Sequence, residues 1–511
     1  MNLLRMALLS CMLCCTLWVN AGTFTVYCDG QAIPVKEQND VAAEYGLSAY
    51  KYTELVYNGK ALNVEVEADF SFGNTDWSIS PVSYGITGTR EEKKISFVID
   101  RTGYVVLFFS QDQDFTKRLV IFVEAPEQFP EGNLIDITQD YCVDNTGYRN
   151  ETSHIQKALN DISGTENILY FPPGIYKSSG LRIRSNSRIH LAKGARILAD
   201  ASSMESYLNN DKTGTNRFIY IKDAENIQIT GNGGFDGNGT WFRGVFHPNG
   251  SDGKGAMRVL FIVNSRNISF DGILLKDAAR WNTQMVGCED ITFVRCKMMN
   301  NPNKNKNLTN FDGWDPDASR HIRIIDCFGW AGDDNIAIKC VGTGSPKIIE
   351  DVDDIEVRGC VFLTKKSSLK IGTETRCSKI TQIVFEDNDI VESDRAMAID
   401  VQDQAIVDGV LYKNNRVEYN FPDSQKRGIF INLKKRNDTQ LSLGKILNVR
   451  IESCSFRKAF PNKFKIVRDA SQTEQSDIQI IFKDLKVGGN AVSTLSSVYF
   501  DSSCNGTVSF E

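Results

Sequence analysis

The chain has 511 residues, which is too long for one ordinary domain. A single domain of this length is expected only for a repeat fold, in which each unit packs on its neighbours alone. Its 58 Lys and Arg residues nearly balance 64 Asp and Glu residues, so the sequence has neither a basic stripe for nucleic acid nor an acidic tail. With four histidines, no HExxH motif and no paired-cysteine spacing, we expect no metal site and no other cofactor.

Residues 1–21 have the pattern of a secretory signal peptide. A positive start at Arg5 is followed by an apolar run to Val19, and Val19-Asn20-Ala21 offers small residues for cleavage. The run is too short for a membrane span and no later run approaches that length, so we expect a secreted or periplasmic protein. The alternative is a lipoprotein anchored through one of three cysteines, Cys11, Cys14 or Cys15.

Residues 22–125 are predicted to form a small antiparallel β-sandwich, an accessory domain without a catalytic constellation. Short alternating strands are expected over three ranges, Ala61–Phe70, Lys93–Ile99 and Arg118–Ala125. Turn signals at Asp29-Gly30 and Asn58-Gly59 separate such runs. Residues 126–132, rich in Pro and Glu, are interpreted as a linker.

Residues 133–511 have the pattern of a solenoid. Glu151–Ile162 is predicted to be an amphipathic helix that caps the first coil. Eight later segments alternate β-branched, aliphatic or aromatic residues and end on Asn, Cys or an apolar residue: 227–232, 268–273, 291–296, 322–327, 355–360, 383–388, 410–415 and 449–454. Their ends are 23 to 41 residues apart, which indicates the irregular coils of a parallel β-helix.

In such coils the last residues of these segments stack inward. A packing ladder of small buried side chains is predicted rather than disulfides, formed by Cys296, Cys327, Cys360, Asn388, Asn415 and Cys454. Two disulfides stay open as possibilities, Cys340–Cys377 and Cys28–Cys142.

The chemistry is expected within Asn310–Lys339, which contains six aspartates. Asp312 lies 21 positions before Asp333 (333 − 312), about one coil of a wound β-structure, so it is predicted to lie above the Asp333-Asp334 pair. Carboxylates gathered on one surface raise one another's pKa. Glycoside hydrolysis needs a protonated acid and an ionised base, and these three aspartates are therefore the catalytic candidates.

Two motifs in this stretch resemble those of glycoside hydrolase family 28, the polygalacturonase-type enzymes. Asn310–Asp315 (NFDGWD) is similar to the family's N-T-D-G-x-D motif, and Gly332–Lys339 (GDDNIAIK) to its G-D-D-C-I-A-I-K motif. The resemblance covers roughly residues 136–403 and implies an all-β fold with a right-handed parallel β-helix, a single-stranded solenoid. It implies that Asp333 is the general acid and that Asp312 and Asp334 activate water with inversion, while Asp315 supports Asp312 by a turn hydrogen bond.

The sequence departs from that family where the family binds galacturonate. Its G-H-G motif is replaced by Lys365-Lys366-Ser367, and its R-I-K motif by Ala398-Ile399-Asp400. We therefore expect a substrate other than plain polygalacturonate. The predicted substrate-binding residues are Asp315, Trp314, Lys366, Lys370, Arg395 and Asp400, whereas Trp281 and Trp330 are interpreted as packing residues.

A sandwich ahead of a β-helix also resembles the layout of family 49 dextranases, which favours a neutral glucan as an alternative substrate. Two other functions stay open, a β-helix polysaccharide lyase and a non-catalytic carbohydrate-binding β-helix. The expected partner is a polysaccharide or oligosaccharide, with no nucleic acid and no membrane span.

Overall fold

A computed structural model gives the structure of the chain. It describes residues 23–37, 50–110, 117–202, 216–246, 257–300, 310–342, 347–420, 427–436, 442–458, 464–468, 477–495, 500–502 and 508–511. The predicted signal peptide lies outside these residues. Within them, no helix is long and apolar enough to cross a membrane. The chain divides into two compact units, one ending at Pro126 and one running from Glu127 to Glu511.

The first unit is a β-sandwich of two five-stranded sheets in the described residues. Sheet A has the order β2-β1-β5-β8-β7, with β1 Phe24–Cys28, β2 Gln31–Ile33, β5 Leu62–Ala68, β7 Gly88–Glu91 and β8 Lys94–Ile99. Sheet B has the order β3-β4-β10-β9-β6, with β3 Lys36–Glu37, β4 Lys51–Val56, β6 Ser78–Ser80, β9 Gly103–Phe108 and β10 Arg118–Glu124. A single 3₁₀ turn covers Val82–Tyr84.

Alternating apolar residues of both sheets belong to one core, among them Val64 and Val66 of β5 and Leu119 and Ile121 of β10. The Asp29-Gly30 turn joins β1 to β2 with both residues at positive φ, the conformation that a two-residue hairpin needs. One pair departs from the antiparallel expectation, because β4 and β10 run parallel.

The second unit is a parallel β-helix in which every coil contributes strands to three long sheets, C, D and E. Sheet C contains β11 Leu134–Asp136, β12 Ile168–Phe171, β15 Ser187–Leu191, β18 Glu225–Thr230, β21 Arg266–Asp271, β24 Glu289–Val294, β27 Arg320–Ile325, β30 Val352–Arg358, β33 Lys379–Glu386, β36 Ile406–Lys413, β39 Lys445–Glu452, β42 Ile478–Lys483 and β46 Val508–Phe510. The eight repeat segments read from the sequence lie on eight consecutive strands of this sheet, β18 to β39, which confirms the fold prediction.

Sheets D and E complete each coil. Sheet D contains β13 Gly174–Ser178, β16 Ala195–Ala199, β19 Gly234–Asp236, β22 Leu274–Lys276, β25 Lys297–Met299, β28 Phe328–Trp330, β31 Val361–Leu363, β34 Asp389–Ser393, β37 Arg416–Asn420, β40 Ser455–Phe456, β43 Lys486–Val487 and β44 Asn490–Ala491. Sheet E contains β14 Leu181–Ile183, β17 Asn216–Lys222, β20 Met257–Val263, β23 Thr283–Val286, β26 Trp314–Asp317, β29 Ile336–Cys340, β32 Ser367–Thr375, β35 Arg395–Val401, β38 Ile429–Leu433, β41 Phe464–Arg468 and β45 Phe500–Ser502.

The described residues of this unit contain three helices: α1 Ile137–Asp140, α2 Thr152–Ile162 and α3 Gly239–Phe246. Helix α2 is the predicted amphipathic helix. Its Ile155, Leu159 and Ile162 are buried in the core of the β-helix, against the first coil. Glu127, in the predicted linker, accepts hydrogen bonds from the N–H groups of Lys193 and Asn232, both at 2.9 Å.

The predicted ladder lies inside the coils, and all six of its side chains are fully buried. The Cys360 N–H donates to Asn388 Oδ1 at 3.0 Å, and Asn388 Nδ2 donates to Asn415 Oδ1 at 2.9 Å. All nine cysteines in the described residues are free, including the members of both disulfides that the sequence left open. The ladder is therefore a packing and hydrogen-bonding element, as predicted.

Candidate active site

The three catalytic candidates lie where two consecutive coils enter sheet E, just before β26 and β29. The Gly313 N–H donates to the Asp334 carbonyl at 2.8 Å, and the Asp333 N–H donates to the Phe311 carbonyl at 3.3 Å. These backbone bonds place Asp312 beside the adjacent pair on the next coil, because neighbouring strands of a sheet lie about 4.8 Å apart.

Gly313 is needed for this close approach. A Cβ atom on it would lie 2.2 Å from the carbonyl oxygen of Asn335. The same oxygen accepts a hydrogen bond from the Trp314 N–H at 2.8 Å. Any side chain at position 313 would therefore push the two coils apart at the site.

Lys339 of β29 joins Asp312 to Asp315. Its Nζ lies 2.9 Å from Asp312 Oδ2 and 3.2 Å from Asp315 Oδ1. Burial lowers the pKa of Lys339, but the two carboxylates outweigh burial and raise it well above its usual value. Asp315 lies within β26 and is completely buried, which corrects two predictions: it does not reach a substrate, and its link to Asp312 runs through Lys339 rather than a turn hydrogen bond.

Asp334 is held in its ionised form. Its Oδ1 accepts the Ser367 N–H at 2.9 Å, and its Oδ2 lies 2.5 Å from Lys370 Nζ. Burial by itself raises the pKa of Asp334, but the charges of Lys370 and Arg395 outweigh burial and hold that pKa well below its usual range. Lys370 is itself buried, so its ammonium serves Asp334 and is not the open substrate-binding cation that the sequence predicted.

The surroundings of Asp333 shift its pKa in the opposite direction from that of Asp334. Its side chain is half-buried, and its Oδ2 accepts one hydrogen bond, from the Asn310 N–H at 2.9 Å. Burial, together with the charge of Asp334, raises the pKa of Asp333. Burial raises the pKa of Asp312 to about 7. The charges of Asp333 and Asp334 add to this rise, and the charge of Lys339 opposes it. The surroundings of Asp312 and Asp333 thus raise the pKa of both carboxyls, whereas those of Asp334 lower its pKa.

The remaining predicted substrate-binding residues separate into two groups. Trp314 is fully buried in the core, with its ring 6.2 Å from that of Phe293, so the prediction that it stacks on a sugar is wrong. Tryptophan is a suitable residue type for sugar stacking, but Trp314 lies on the core-facing side of β26. Alternate residues of a strand point to opposite sides, and the motif does not show which side Trp314 takes.

The second group lies on the outer face of sheet E. Lys366 is half-buried and near enough to Asp333 to oppose the rise in the pKa of that carboxyl. Arg395 is half-buried at the start of β35, with Cζ 5.8 Å from the Phe430 ring centroid. Asp400 is bound by two amides, with Oδ1 accepting from Asn432 at 2.7 Å and from Gln402 at 3.0 Å.

The sequence reasoning missed residues on the coils before Asp312. Trp281, interpreted as a packing residue, has its ring centroid 3.9 Å from Lys339 Nζ, and Arg258 and Arg280 lie over the same indole. The signal was present as the Arg280-Trp281 pair just before β23. It could be read only by aligning the strands of sheet E, whereas the visible repeat is that of sheet C.

A cluster of side chains of the metal-ligating type lies on sheet C. Within the described residues, one group of acidic and histidine side chains is close enough to share an ion: Glu289, Asp290 and His321, on strands β24 and β27 of sheet C. All three side chains are partly or largely open to solvent. Neither their position nor their exposure links them to the aspartates of sheet E.

Known proteins are similar to this chain in fold and in sequence. A β-helix similar in fold is found in a hyperthermoactive exopolygalacturonase from Thermotoga maritima, with TM-score 0.59 and 16% identity over 75% of this chain and 93% of that one. Dex49A from Penicillium minioluteum is similar over 96% of this chain and 94% of its own, with TM-score 0.61 and 14% identity. Both likenesses concern the fold.

In sequence, the chain is 29% identical over 118 residues to an iota-carrageenase from Zobellia galactanivorans (strain DSM 12802 / CCUG 47099 / CIP 106680 / NCIMB 13871 / Dsij). The match spans 22% of this chain and 23% of that protein. The model of the glycosyl hydrolases family 28 matches residues 181–504, well over half of the chain. The match includes both aspartate motifs and most coils of the β-helix, and it confirms the resemblance read from those motifs. The chain belongs to glycosyl hydrolases family 28.

Proposed function

We propose that the protein hydrolyses a polysaccharide with inversion, using Asp333 as general acid and Asp312 with Asp334 to activate water. The observation that carries this proposal is the Asp333-Asp334 pair. Burial and the Asp334 charge raise the pKa of Asp333, whereas Lys370 and Arg395 keep the pKa of Asp334 low in spite of burial. Two adjacent carboxyls with opposite shifts supply an acid and a base at one pH.

In this mechanism Asp333 donates its proton to the leaving glycosidic oxygen. Water held by Asp312 and Asp334 attacks the anomeric carbon from the opposite face, and one of these two carboxylates takes up its proton. Inverting enzymes separate acid and base by about 6.5–9.5 Å, so that water fits between base and sugar. Lys339 and Lys370 orient the two base candidates, because each ammonium binds one carboxylate oxygen.

The substrate that we propose is not plain polygalacturonate. Ala398 and Asp400 replace the two cations of the R-I-K motif and lie on β35, next to Lys370 and Gly372 of β32. Asp400 would repel a galacturonate carboxylate, and its amide partners keep it in place. We further propose that residues 1–21 export the protein, that residues 22–125 form an accessory domain, and that residues 133–511 form the catalytic domain.

A screen with matched variants tests the function. The parent protein is incubated with polygalacturonate, rhamnogalacturonan, dextran, iota-carrageenan and other sulfated galactans, and new reducing ends are counted. One polymer should be cut, and Asp333→Asn should lower its rate by about 10²–10⁴-fold, the usual value of general acid–base assistance. The control is Asp387→Asn, an exposed aspartate directly after β33 of sheet C, which should act like the parent.

Other outcomes would select other functions. Products that absorb in the ultraviolet would identify a lyase, because elimination leaves an unsaturated sugar. Binding without new reducing ends, unchanged in Asp333→Asn, would identify a carbohydrate-binding β-helix. Cleavage of dextran would favour the neutral glucan that the layout shared with Dex49A suggests.

A further inference from the structure

The coils before Asp312 carry cations stacked on aromatic rings at the outer face of sheet E. Arg258 is the second residue of β20, and its Cζ lies 4.8 Å from the ring centroid of Trp281. The Cζ of Arg280 lies 5.6 Å from the same centroid. We call Arg258, Arg280 and Trp281 the arginine–tryptophan cluster. One coil earlier, Arg217 stacks on Tyr220 at 3.9 Å and extends the row of cations.

The cluster contains buried donors that lack acceptors. Arg258 is only 7% exposed, and in the part of the chain that the structure describes its Nε makes no hydrogen bond. The same holds for Nε of Arg280 and for the indole nitrogen of Trp281. Buried arginines are normally paired, because a buried donor without an acceptor loses the hydrogen bonds that water would give it, and a buried charge without a partner costs more still.

Neighbouring carboxylates do not fill this gap. Burial, and next the like charge of Arg280, lower the pKa of Arg258 to about 9, while Asp315 and Asp317 oppose the fall. Asp315 is bound to Lys339. Asp317 accepts from Gln284 Nε2 and from the Val341 N–H, both at 2.8 Å. These donors of the cluster therefore have no hydrogen-bond acceptor among the described residues, and an external anion would supply one.

The cluster adjoins the proposed catalytic residues. The Asn282 N–H donates to the Asp312 carbonyl at 2.9 Å, and the Arg280 N–H donates to the Met257 carbonyl at 3.1 Å. Trp281 therefore lies between the coils of Arg258 and Asp312, which are two strand spacings, or about 10 Å, apart. Lys339 contacts both the Trp281 ring and Asp312, so the two sites share a side chain.

We propose that the arginine–tryptophan cluster is a substrate subsite that binds an anionic substituent, a carboxylate or a sulfate ester, on a sugar next to the cleaved bond. A guanidinium offers planar, paired N–H donors that match the oxygens of either anion. The subsite lies on the coils before the aspartates, whereas the missing R-I-K cations would lie on the coils after them. That the bound sugar is a substrate rests on the proposed hydrolysis; the anion site itself does not.

Binding measurements on a non-hydrolysing protein test the subsite. In the Asp333→Asn background, calorimetry compares three oligosaccharides of equal length: oligogalacturonate, a sulfated galactan fragment and a neutral isomalto-oligosaccharide. One anionic ligand should bind, and its identity separates carboxylate from sulfate. Arg280→Gln and Arg258→Gln should each weaken that binding by about 10-fold to 100-fold, the usual effect of losing one hydrogen bond to a charged group. Neutral ligand binding should stay unchanged.

The control is Arg295→Gln, which removes an exposed arginine paired with Asp271 on sheet C. It should bind all ligands like the background protein, and thermal melting checks that every variant is folded. Equal anion binding in the arginine variants, equal loss of neutral and anionic ligands, or no binding of either anion would overturn the subsite. Arginine-dependent anion binding without hydrolysis by the parent would overturn the proposed function alone.

Discussion

Replacing Lys370 with Met should expose how much Asp334 depends on its cation. Both side chains are buried, and Lys370 Nζ lies 2.5 Å from Asp334 Oδ2. Removing one partner of a buried ion pair costs about 3–5 kcal/mol, because the other charge stays buried without compensation. Arg395 and Lys339 remain near Asp334 and will offset part of this cost, so we expect about 3 kcal/mol at neutral pH.

The sign of the pH dependence follows from the depressed pKa of Asp334. A carboxyl with a lowered folded pKa stabilises the protein above its unfolded value of about 3.9, and this contribution is lost as the pH falls through the folded pKa. Lys370→Met removes the cation that lowers this pKa. The difference in unfolding free energy between parent and variant should therefore be large at pH 7 and should shrink below about pH 4.

Catalysis should change in the same direction. A base acts only when ionised, so a higher pKa at Asp334 moves the acidic limb of the kcat/KM profile to higher pH. Denaturant melts at pH 7 and pH 3, together with the pH–rate profile, measure both effects. Lys379→Met, an exposed lysine of β33, is the control. A Lys370→Met protein with the parent's stability and the parent's pH profile would refute the assignment of Lys370 to Asp334.

Three further predictions concern the scaffold. Gly313→Ala should destabilise the β-helix and lower activity, because its Cβ would lie 2.2 Å from the Asn335 oxygen; an unchanged melting temperature would contradict this close approach. Asn388→Leu should cost about 1–3 kcal/mol, because the Cys360 N–H loses its buried acceptor, whereas Asn415 Oδ1 keeps the backbone N–H of residue 388 as a donor; chemical denaturation would measure this cost. Thiol titration of the unreduced protein in denaturant should count at least nine free thiols, and a lower count would show that disulfides form.

Much of the β-helix was predictable because its core leaves a local pattern. The alternation and terminal Cys or Asn of the sheet C strands set the coils, and the 21-residue separation of Asp312 and Asp333 then placed them on neighbouring coils. The parallel β4–β10 pair of the sandwich was not predictable, since it joins strands far apart in sequence and alternation does not encode direction.

The sequence predicted which aspartates lie together, but it did not predict which side chains surround them. Trp314 and Asp315 are consecutive residues of β26 and therefore point to opposite sides of the strand. Trp314 points into the core and Asp315 points toward Lys339, an assignment that the motif alone does not specify. Arg258 and Trp281 meet only through the register of sheet E, whose strands are separated by loops of variable length. The spacing of the motifs indicates which coils carry the candidate aspartates, whereas the pairing of strands across coils is needed to find the side chains around them.

The stereochemistry of the first product tests the account most directly. Proton NMR, recorded on the cleaved polymer before the new reducing end mutarotates, shows which anomer is released. If Asp333 acts as acid and Asp312 with Asp334 activates water, the new anomer has the inverted configuration, and Asp333→Asn releases it far more slowly. A product that keeps the configuration of the substrate would contradict the proposed roles of all three aspartates.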